Sequence, residues 1–239
     1  MNNLVGMIKR ARYKSRVYLK FLKLSIVPRE RQRIIDKFHT LYYDSSIVGR
    51  GWDNTFFLGI PTQKCPLDLF IYQEILFELK PDVIIETGTA FGGGALFLAT
   101  ICDALNHGKV ITIDIADQGQ PLHKRITYLI GSSVSDEIIE KIKQSIENKD
   151  KILVILDSDH SKKHVLKELM IYNKFVPKGS YLIVEDTNVN GHPVYSDHGP
   201  GPMEAVEEFL KDNSNFAIDK KREKFYLTFN PGGYLKRIY

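Results

Sequence analysis

Carboxylates recur in this 239-residue sequence at the points where apolar runs end. Glu86, Asp114 and Asp157 each follow such a run, and the adjacent Glu185 and Asp186 follow another. The carboxyl ends of parallel strands meet along one edge of a sheet, so we expect these five acids to converge on one crevice. A single acid at a strand end is often only a helix cap, but five together favour a functional site.

Three of these acids predict a cation site. Asp157, Glu185 and Asp186 follow two strands that we expect to be neighbours, and crowded carboxylates are costly unless a cation neutralises them. Oxygen ligands suit a hard ion, so the sequence predicts Mg²⁺ or another divalent cation held by these three residues.

A histidine follows the first of these acids. His160 lies three residues after Asp157, and an imidazole of near-neutral pKa beside a metal site is suited to act as a general base. His160 could instead cap the next helix together with Ser161. Nearby alternatives for the base are Lys162, Lys163 and His164.

A glycine-rich turn separates Glu86 from the next helical pattern and predicts a loop that binds a nucleotide-type ligand. It lacks the lysine of a phosphate-binding P-loop and the Gly-x-Gly-x-x-Gly spacing of dinucleotide folds. Glu86 would repel a pyrophosphate, but it suits the ammonium or sulfonium group of S-adenosylmethionine. Asp114 could accept hydrogen bonds from ribose hydroxyls, and Ser133 could flank the adenine. The residues assigned to S-adenosylmethionine are Glu86, Gly88, Thr89, Gly92, Asp114 and Ser133.

Between residues 81 and 186, near-continuous apolar strands alternate with helical patterns. This alternation predicts an α/β fold with a doubly wound, mostly parallel, Rossmann-like sheet. Phe216–Ile218 and Phe225–Phe229 are expected to close it as an antiparallel ribbon. The turn-rich residues 49–68 predict a structured loop, in which Trp52 and Lys64 are candidate ligand contacts; Trp52 could equally anchor the loop to the core.

We expect a basic amphipathic helical segment, residues 1–48, before a single domain, residues 49–239. Residues 1–40 contain eleven Lys and Arg and two acids, whereas the whole chain has a net charge of only +4. A basic front on an acidic body disfavours nucleic acid as a partner. The helical pattern from Leu4 to Leu24 fits either a helix on an acidic membrane surface or one packed on the domain.

The cellular setting is inferred from composition. The two cysteines, Cys65 and Cys102, show no metal-ligand spacing, which fits a reducing cytoplasm. No apolar run approaches the roughly 18 to 20 residues that span a bilayer. Peripheral membrane contact through residues 1–28 and a homo-oligomer both remain open.

Several motifs together resemble the cephalosporin hydroxylase family, which includes rhamnosyl O-methyltransferases and looks like the class I S-adenosylmethionine-dependent methyltransferases. The motifs, within residues 50–239, are Ile85–Gly94, Leu156–His160, Val184–Thr187, Gly199–Val206 and Phe229–Tyr234.

The resemblance implies methyl transfer from S-adenosylmethionine to a hydroxyl of a sugar or glycosylated metabolite. It also implies that S-adenosylmethionine lies against Glu86, Gly88 and Asp114, and that a divalent ion is held by Asp157, Glu185 and Asp186. The spacing of Asp157 and His160 is similar to that of metal-dependent sugar O-methyltransferases of macrolide pathways, in which the histidine deprotonates the acceptor hydroxyl. The alternatives are a hydroxylase acting on a β-lactam, as the family name suggests, and a non-catalytic nucleotide- or glycan-binding module.

Overall fold

The computed structural model describes residues 2–44, 52–147 and 150–239, and for residues 2–6, 21 and 23–26 it describes the backbone alone. Two helices open the chain, α1 (Asn2–Ile26) and α2 (Pro28–Asp44). Pro28 begins the second helix, where its missing N–H leaves no hydrogen bond unmade. The expected boundary between residues 48 and 49 lies outside the described residues.

A seven-stranded sheet forms the centre of the domain, in the order β5-β4-β3-β6-β7-β9-β8. The first five strands in that order are parallel, and β9 runs antiparallel to both β7 and β8. This is the expected doubly wound, mostly parallel sheet. Its strands are β3 (Val83–Thr87), β4 (Lys109–Asp114), β5 (Ile126–Ile130), β6 (Ile152–Leu156), β7 (Tyr181–Val184), β8 (Phe216–Ile218) and β9 (Tyr234–Arg237).

Helices cover both faces of the sheet, because successive apolar residues of each strand point to opposite sides. Ile84 packs in a core cluster with residues of α3 and α4, whereas Val83 and Ile85 pack in a second cluster with residues of α5, α6 and α7. Both clusters are fully buried, which explains why the strands read as continuous apolar runs. The helices are α3 (Pro66–Leu79), α4 (Gly93–Ala104), α5 (Asp136–Ser145), α6 (Lys162–Tyr172) and α7 (Pro202–Asp212).

The segment before α3 contains a short hairpin rather than loop alone. Its strands are β1 (Phe56–Phe57) and β2 (Ile60–Pro61), which pair antiparallel. The chain then passes Lys64 and enters α3 at Pro66. The hairpin therefore brings residues 62–65 against the edge of the sheet.

The expected strand at Phe225–Phe229 is wrong, because β8 pairs with β9 instead, with Ala217 opposite Lys236. The buried carboxylate of Asp68 explains the difference. It accepts hydrogen bonds from the Thr228 hydroxyl at 2.6 Å and from the Phe229 N–H at 2.7 Å. That backbone donor is therefore satisfied by a side chain, and it needs no strand partner.

Candidate active site

A cavity of about 430 Å³ opens at the carboxyl edge of the sheet. It lies at the loops after β3 and β6, where the strand order reverses, which is the usual ligand site of open α/β sheets. Most residues expected at the site line it. The expected site residues that line the cavity are Glu86, Gly88, Thr89, Asp114, Ser133, Asp157, His160 and Asp186, together with Trp52 and Lys64.

Gly88 allows the loops after β3 and β6 to touch. Its φ is +84°, and a Cβ there would lie 1.8 Å from the carbonyl oxygen of Asp157. Only glycine tolerates both the left-handed backbone and this approach. Gly92, also at φ +84°, precedes the first residue of α4. The two glycines fix the path of the loop beside the cavity.

The carboxylate of Glu86 is buried beneath this loop, with 1% of the residue exposed. Its Oε2 accepts a hydrogen bond from the Thr112 hydroxyl at 2.8 Å, and Thr112 in turn lies 2.7 Å from the Thr89 hydroxyl. Within the described part of the chain, Oε1 has no hydrogen-bond donor. Burial raises the pKa of Glu86 to about 7, against the opposing effects of Lys64 and Thr112. Oε1 is therefore placed to accept a donor from a ligand.

Asp114 ties the end of β4 to the glycine loop. Its Oδ2 accepts the Ala90 N–H at 2.8 Å, and its Oδ1 accepts the Ala116 N–H at 3.1 Å. Ser133 lies on the far side of the cavity, with its Oγ 3.1 Å from Nε2 of His164. Both residues frame the cavity.

Asp157, His160 and Asp186 converge, since each offers a ligand atom and these atoms all lie within 4.8 Å of one another. Nε2 of His160 is 3.3 Å from Oδ2 of Asp186. Ser161 is the N-cap of α6, because its hydroxyl accepts the His164 N–H at 3.4 Å. The imidazole of His160 is therefore not the helix cap.

The backbone turns sharply at Asp186, directly after β7. Its φ of +52° is in the left-handed region, which aspartate tolerates better than most residues. The Asp186 N–H donates to the side-chain oxygen of Asn230 at 3.2 Å. This turn separates the directions of the two adjacent acids Glu185 and Asp186.

Lys64 enters the acid cluster from the hairpin side and is buried, with 3% of its side chain exposed. Its Nζ donates to Oδ2 of Asp157 at 2.5 Å and to Oε1 of Glu185 at 2.6 Å. Oε1 of Glu86 is 3.8 Å away. The sequence suggested Lys64 as a candidate ligand contact, but it did not predict that Glu185 would face this lysine.

Burial and the crowding of carboxylates both shift the pKa values of the site. Burial raises the pKa of Glu185 to about 7 and raises those of Asp157 and Asp186. Burial alone would lower the pKa of His160, but the carboxylates, Asp186 first, outweigh it, and the pKa is raised. The same balance, led by Asp157, raises the pKa of Lys64.

Two of the three expected metal ligands, Asp157 and Asp186, belong to the converging group, whereas Glu185 accepts a hydrogen bond from Lys64. Their carboxylate oxygens suit a hard divalent cation such as Mg²⁺. Among the described residues, the converging group holds one histidine and two carboxylates. A non-haem iron centre of an oxygenase uses two histidines and one carboxylate, so this composition disfavours the hydroxylase alternative.

Trp52 forms one wall of the cavity, and an aromatic cluster packs behind it. Trp52 lines the cavity and stacks on Tyr43 of α2, with ring centroids 6.1 Å apart and planes at 28°. Tyr43 meets Phe229 edge-on at 5.3 Å, and His39 stacks on the same Phe229 at 5.8 Å. Helix α2 therefore supports Trp52 from behind, which its sequence pattern alone did not predict.

The fold and the position of the cavity are those of the class I S-adenosylmethionine-dependent methyltransferases. Residues 50–238 match the family described as Rhamnosyl O-methyltransferase/CmcI, and the chain belongs to this family. This confirms the resemblance found in the sequence motifs.

Named relatives and solved structures agree with this assignment. A rhamnosyl O-methyltransferase of Mycobacterium tuberculosis (strain H37Rv) is 38% identical over 218 residues, which cover 87% of each chain. The enzyme of the same name from Mycobacterium leprae is 37% identical over 219 residues, 89% of this chain and 94% of its own. A structure of CmcI with Mg and SAM superposes with a TM-score of 0.61 at 19% identity, over 78% of each chain.

Proposed function

We propose that the protein is an S-adenosylmethionine-dependent, Mg²⁺-dependent O-methyltransferase that methylates a sugar hydroxyl. The observation that carries this proposal is the convergence of Asp157, His160 and Asp186 beside the glycine loop in one cavity. Family membership over residues 50–238 supports the same reaction class.

On the donor side, the loop after β3 receives the methyl donor. When bound, S-adenosylmethionine supplies an electrophilic methyl group. Oε1 of Glu86 is the buried acceptor for a donor N–H, and Asp114 is placed for the ribose hydroxyls. The residues proposed to bind the donor are Glu86, Gly88, Thr89, Gly92, Asp114 and Ser133.

On the acceptor side, we assign the cation to Asp157, Glu185 and Asp186. When bound, a divalent ion acts as a Lewis acid on the acceptor hydroxyl. His160 removes the hydroxyl proton in its neutral form, and Asp186 orients its ring. The chain's own contribution is then to hold the hydroxyl in line with the methyl donor, and such positioning supplies much of the rate.

The charge of the cluster fits both groups. Glu86, Asp157, Glu185 and Asp186, when ionised, leave three negative charges after Lys64 is counted. A divalent cation and the single net positive charge of S-adenosylmethionine would neutralise them. Unneutralised buried carboxylates are costly, so the metal-free, donor-free cluster favours binding both.

We assign the acceptor ring to the wall formed by Trp52. The relatives that are 37% and 38% identical are named as rhamnosyl O-methyltransferases, which supports a sugar acceptor. Aromatic rings offer an electron-rich face to the C–H groups of a sugar ring. Trp52 lines the same cavity as His160 and Asp186, so a ring stacked there would bring a hydroxyl near the base.

Thermal unfolding tests the ligand assignment. S-adenosylmethionine at 100 times its dissociation constant should add about 2.7 kcal/mol to the free energy of unfolding. NAD at the same concentration should add nothing. Stabilisation by NAD and not by S-adenosylmethionine would contradict the proposal.

We further propose that residues 1–48 form a helical attachment to the domain at 49–239 and that residues 1–28 contact the inner face of the cytoplasmic membrane. Residues 7–20 of α1 are exposed around the whole helix, so the described side chains do not pack on the domain. Basic residues such as Lys14 and Arg16 alternate there with exposed Val17 and Tyr18. This combination suits an anionic lipid surface. Among the described residues, no helix has the length and apolar character to cross a bilayer.

Vesicle flotation tests this contact. The full-length chain should float with anionic vesicles and not with zwitterionic ones. Replacing Lys14, Arg16 and Lys20 with Gln should weaken binding about a hundredfold, at roughly 1 kcal/mol per charge. The matched change of Lys141, Lys143 and Lys174 should leave binding unaltered. Failure to float, together with a concentration-dependent homo-oligomer, would assign the exposed face to a second copy instead.

A further inference from the structure

Lys64 places a fixed positive charge inside the cluster proposed to bind the metal. Its ammonium touches Asp157 and Glu185, two of the three proposed metal ligands. Its side chain is 3% exposed, and that of Glu185 is 4% exposed. The ammonium therefore already neutralises carboxylates that the divalent ion would use.

The fold makes room for this lysine. A Cβ on Gly94 would lie 2.6 Å from Cε of Lys64 and 2.8 Å from Oε1 of Glu86. A Cβ on Gly93 would lie 2.3 Å from the carbonyl oxygen of Pro61, on the hairpin that leads to Lys64. The two glycines at the start of α4 thus let the hairpin and the lysine stem pack against the helix. The packing of the hairpin against α4 therefore places Lys64 beside the acids.

The position of Lys64 has two electrostatic consequences. In the metal-free protein it offsets the repulsion among Asp157, Glu185 and Glu86, which burial would otherwise make severe. When a divalent ion is present, the ammonium and the ion share the same carboxylates, and like charges a few ångströms apart repel each other.

We propose that Lys64 is the resident cation of the site, which holds Asp157 and Glu185 together before the metal arrives and competes with the divalent ion for them. This inference rests on the proposed metal-dependent function. Lys64 is a positioning residue, since it acts through the carboxylates and not on the donor or acceptor.

Titration with Mn²⁺ tests the competition without any turnover. Free Mn²⁺ is measured by electron paramagnetic resonance for the wild type and for Lys64→Met, with neither donor nor acceptor present. The variant should bind Mn²⁺ at least tenfold more tightly. In chelator it should melt at a lower temperature than the wild type, and Mn²⁺ should remove most of that deficit. Lys162→Met, which breaks a 2.7 Å surface pair with Glu208, is the control and should keep the wild-type affinity.

Equal or weaker Mn²⁺ binding by folded Lys64→Met would overturn the inference, because Lys64 would then assist the metal or be irrelevant to it. Binding by the variant alone supports competition. Binding by neither protein would overturn both the inference and the proposed metal. Wild-type binding without a gain in the variant overturns the inference only.

If Lys64→Met does not fold, a charge-balanced double variant tests the inference instead. Lys64→Met/Glu185→Gln removes one positive and one negative charge together, and Glu185→Gln alone is its reference. The double variant should still bind Mn²⁺ at least tenfold more tightly than Glu185→Gln. No gain in that comparison overturns the inference.

Discussion

His160 and Asp186 face each other across the site, with Nε2 of the imidazole 3.3 Å from Oδ2 of the carboxylate. The two residues come from different strand ends, His160 from the loop after β6 and Asp186 from the turn after β7. The carboxylates around the imidazole favour its protonated form, and Asp186 also fixes its orientation. A proton taken from an acceptor hydroxyl would therefore be stabilised on His160.

Replacement of His160 with Gln should lower kcat about a hundredfold to ten-thousandfold, the usual contribution of a general base. Because a base must be neutral to act, the activity of the metal-loaded enzyme should rise with pH through the pKa of His160. The variant should lack this acidic limb. Steady-state rates between pH 5 and 9 measure both effects.

Two controls separate this role from metal binding. His107→Gln changes a histidine that does not line the cavity and lies 3.1 Å from Asp82, and it should keep kcat within severalfold. Mn²⁺ affinity should be unchanged in His160→Gln. A loss of Mn²⁺ affinity that accounts for the loss of rate would make His160 a metal ligand rather than the base.

Asp114→Ala should weaken S-adenosylmethionine binding about tenfold to a hundredfold, the range for a lost hydrogen bond to a charged group. The carboxylate holds the Ala90 N–H of the glycine loop and faces the cavity. Isothermal titration calorimetry measures the affinity. Asp117→Ala removes an exposed carboxylate that accepts the N–H of Gly119, and the variant should bind the donor normally. Equal affinities in both variants would remove Asp114 from the donor site.

Trp52→Ala should raise KM for a rhamnoside acceptor roughly tenfold, because the sugar ring loses its aromatic wall. Trp52→Phe keeps a smaller ring, so its KM for the acceptor should lie between those of Trp52→Ala and the wild type. The dissociation constant of S-adenosylmethionine should not change. An unaltered acceptor KM, or an equal loss of donor affinity, would contradict the assignment of this wall to the acceptor.

His39 should make stability depend on pH. It is buried between α2 and the domain, where its Nε2 lies 3.0 Å from the Asn188 amide nitrogen, and burial lowers its pKa from 6.5 to about 4. Between these values the unfolded chain binds a proton that the folded chain does not. The contribution of His39 to the free energy of unfolding should therefore fall as pH drops through this window, by about 3 kcal/mol.

Urea unfolding of the wild type and of a His39 variant at pH 7 and at pH 4 measures this contribution of His39. His39→Gln should be less stable at pH 7, because it loses the stacking on Phe229, but it should lose less stability on acidification than the wild type. The same pH dependence in variant and wild type would contradict the assignment to His39.

The acids of the site were predictable because their placement depends on strand ends, which are local in sequence. Each of these acids lies within two residues of the end of its strand. Because the strands are parallel, Glu86, Asp157 and Asp186 come to the same edge of the sheet. The absence of the expected strand at Phe225–Phe229 also has a physical cause. Alternating apolar residues there fit a strand pattern, but Asp68, 161 residues away from Phe229, accepts the backbone N–H of Phe229.

The remaining parts of the site depend on contacts between distant segments. Lys64 lies in a polar, turn-rich stretch, and its burial depends on Asp157, 93 residues away, and Glu185, 121 residues away. His39 and Asn188 are 149 residues apart. No local pattern encodes such pairs, so sequence reasoning identified Lys64 as a candidate contact without finding its partners.

Methyl transfer to a rhamnoside is the most direct test of the central claim. The wild type is incubated with methyl-labelled S-adenosylmethionine and an O-linked rhamnoside, with chelator or with MgCl₂, and the acceptor is analysed by mass spectrometry. We predict one labelled methyl group on a sugar oxygen, equal formation of S-adenosylhomocysteine, loss of both products in chelator and recovery with Mg²⁺. Asp157→Asn should give neither product. Undiminished transfer in chelator or by Asp157→Asn would contradict the metal-dependent account, and no transfer to any sugar hydroxyl by folded, donor-bound protein would contradict the proposed activity.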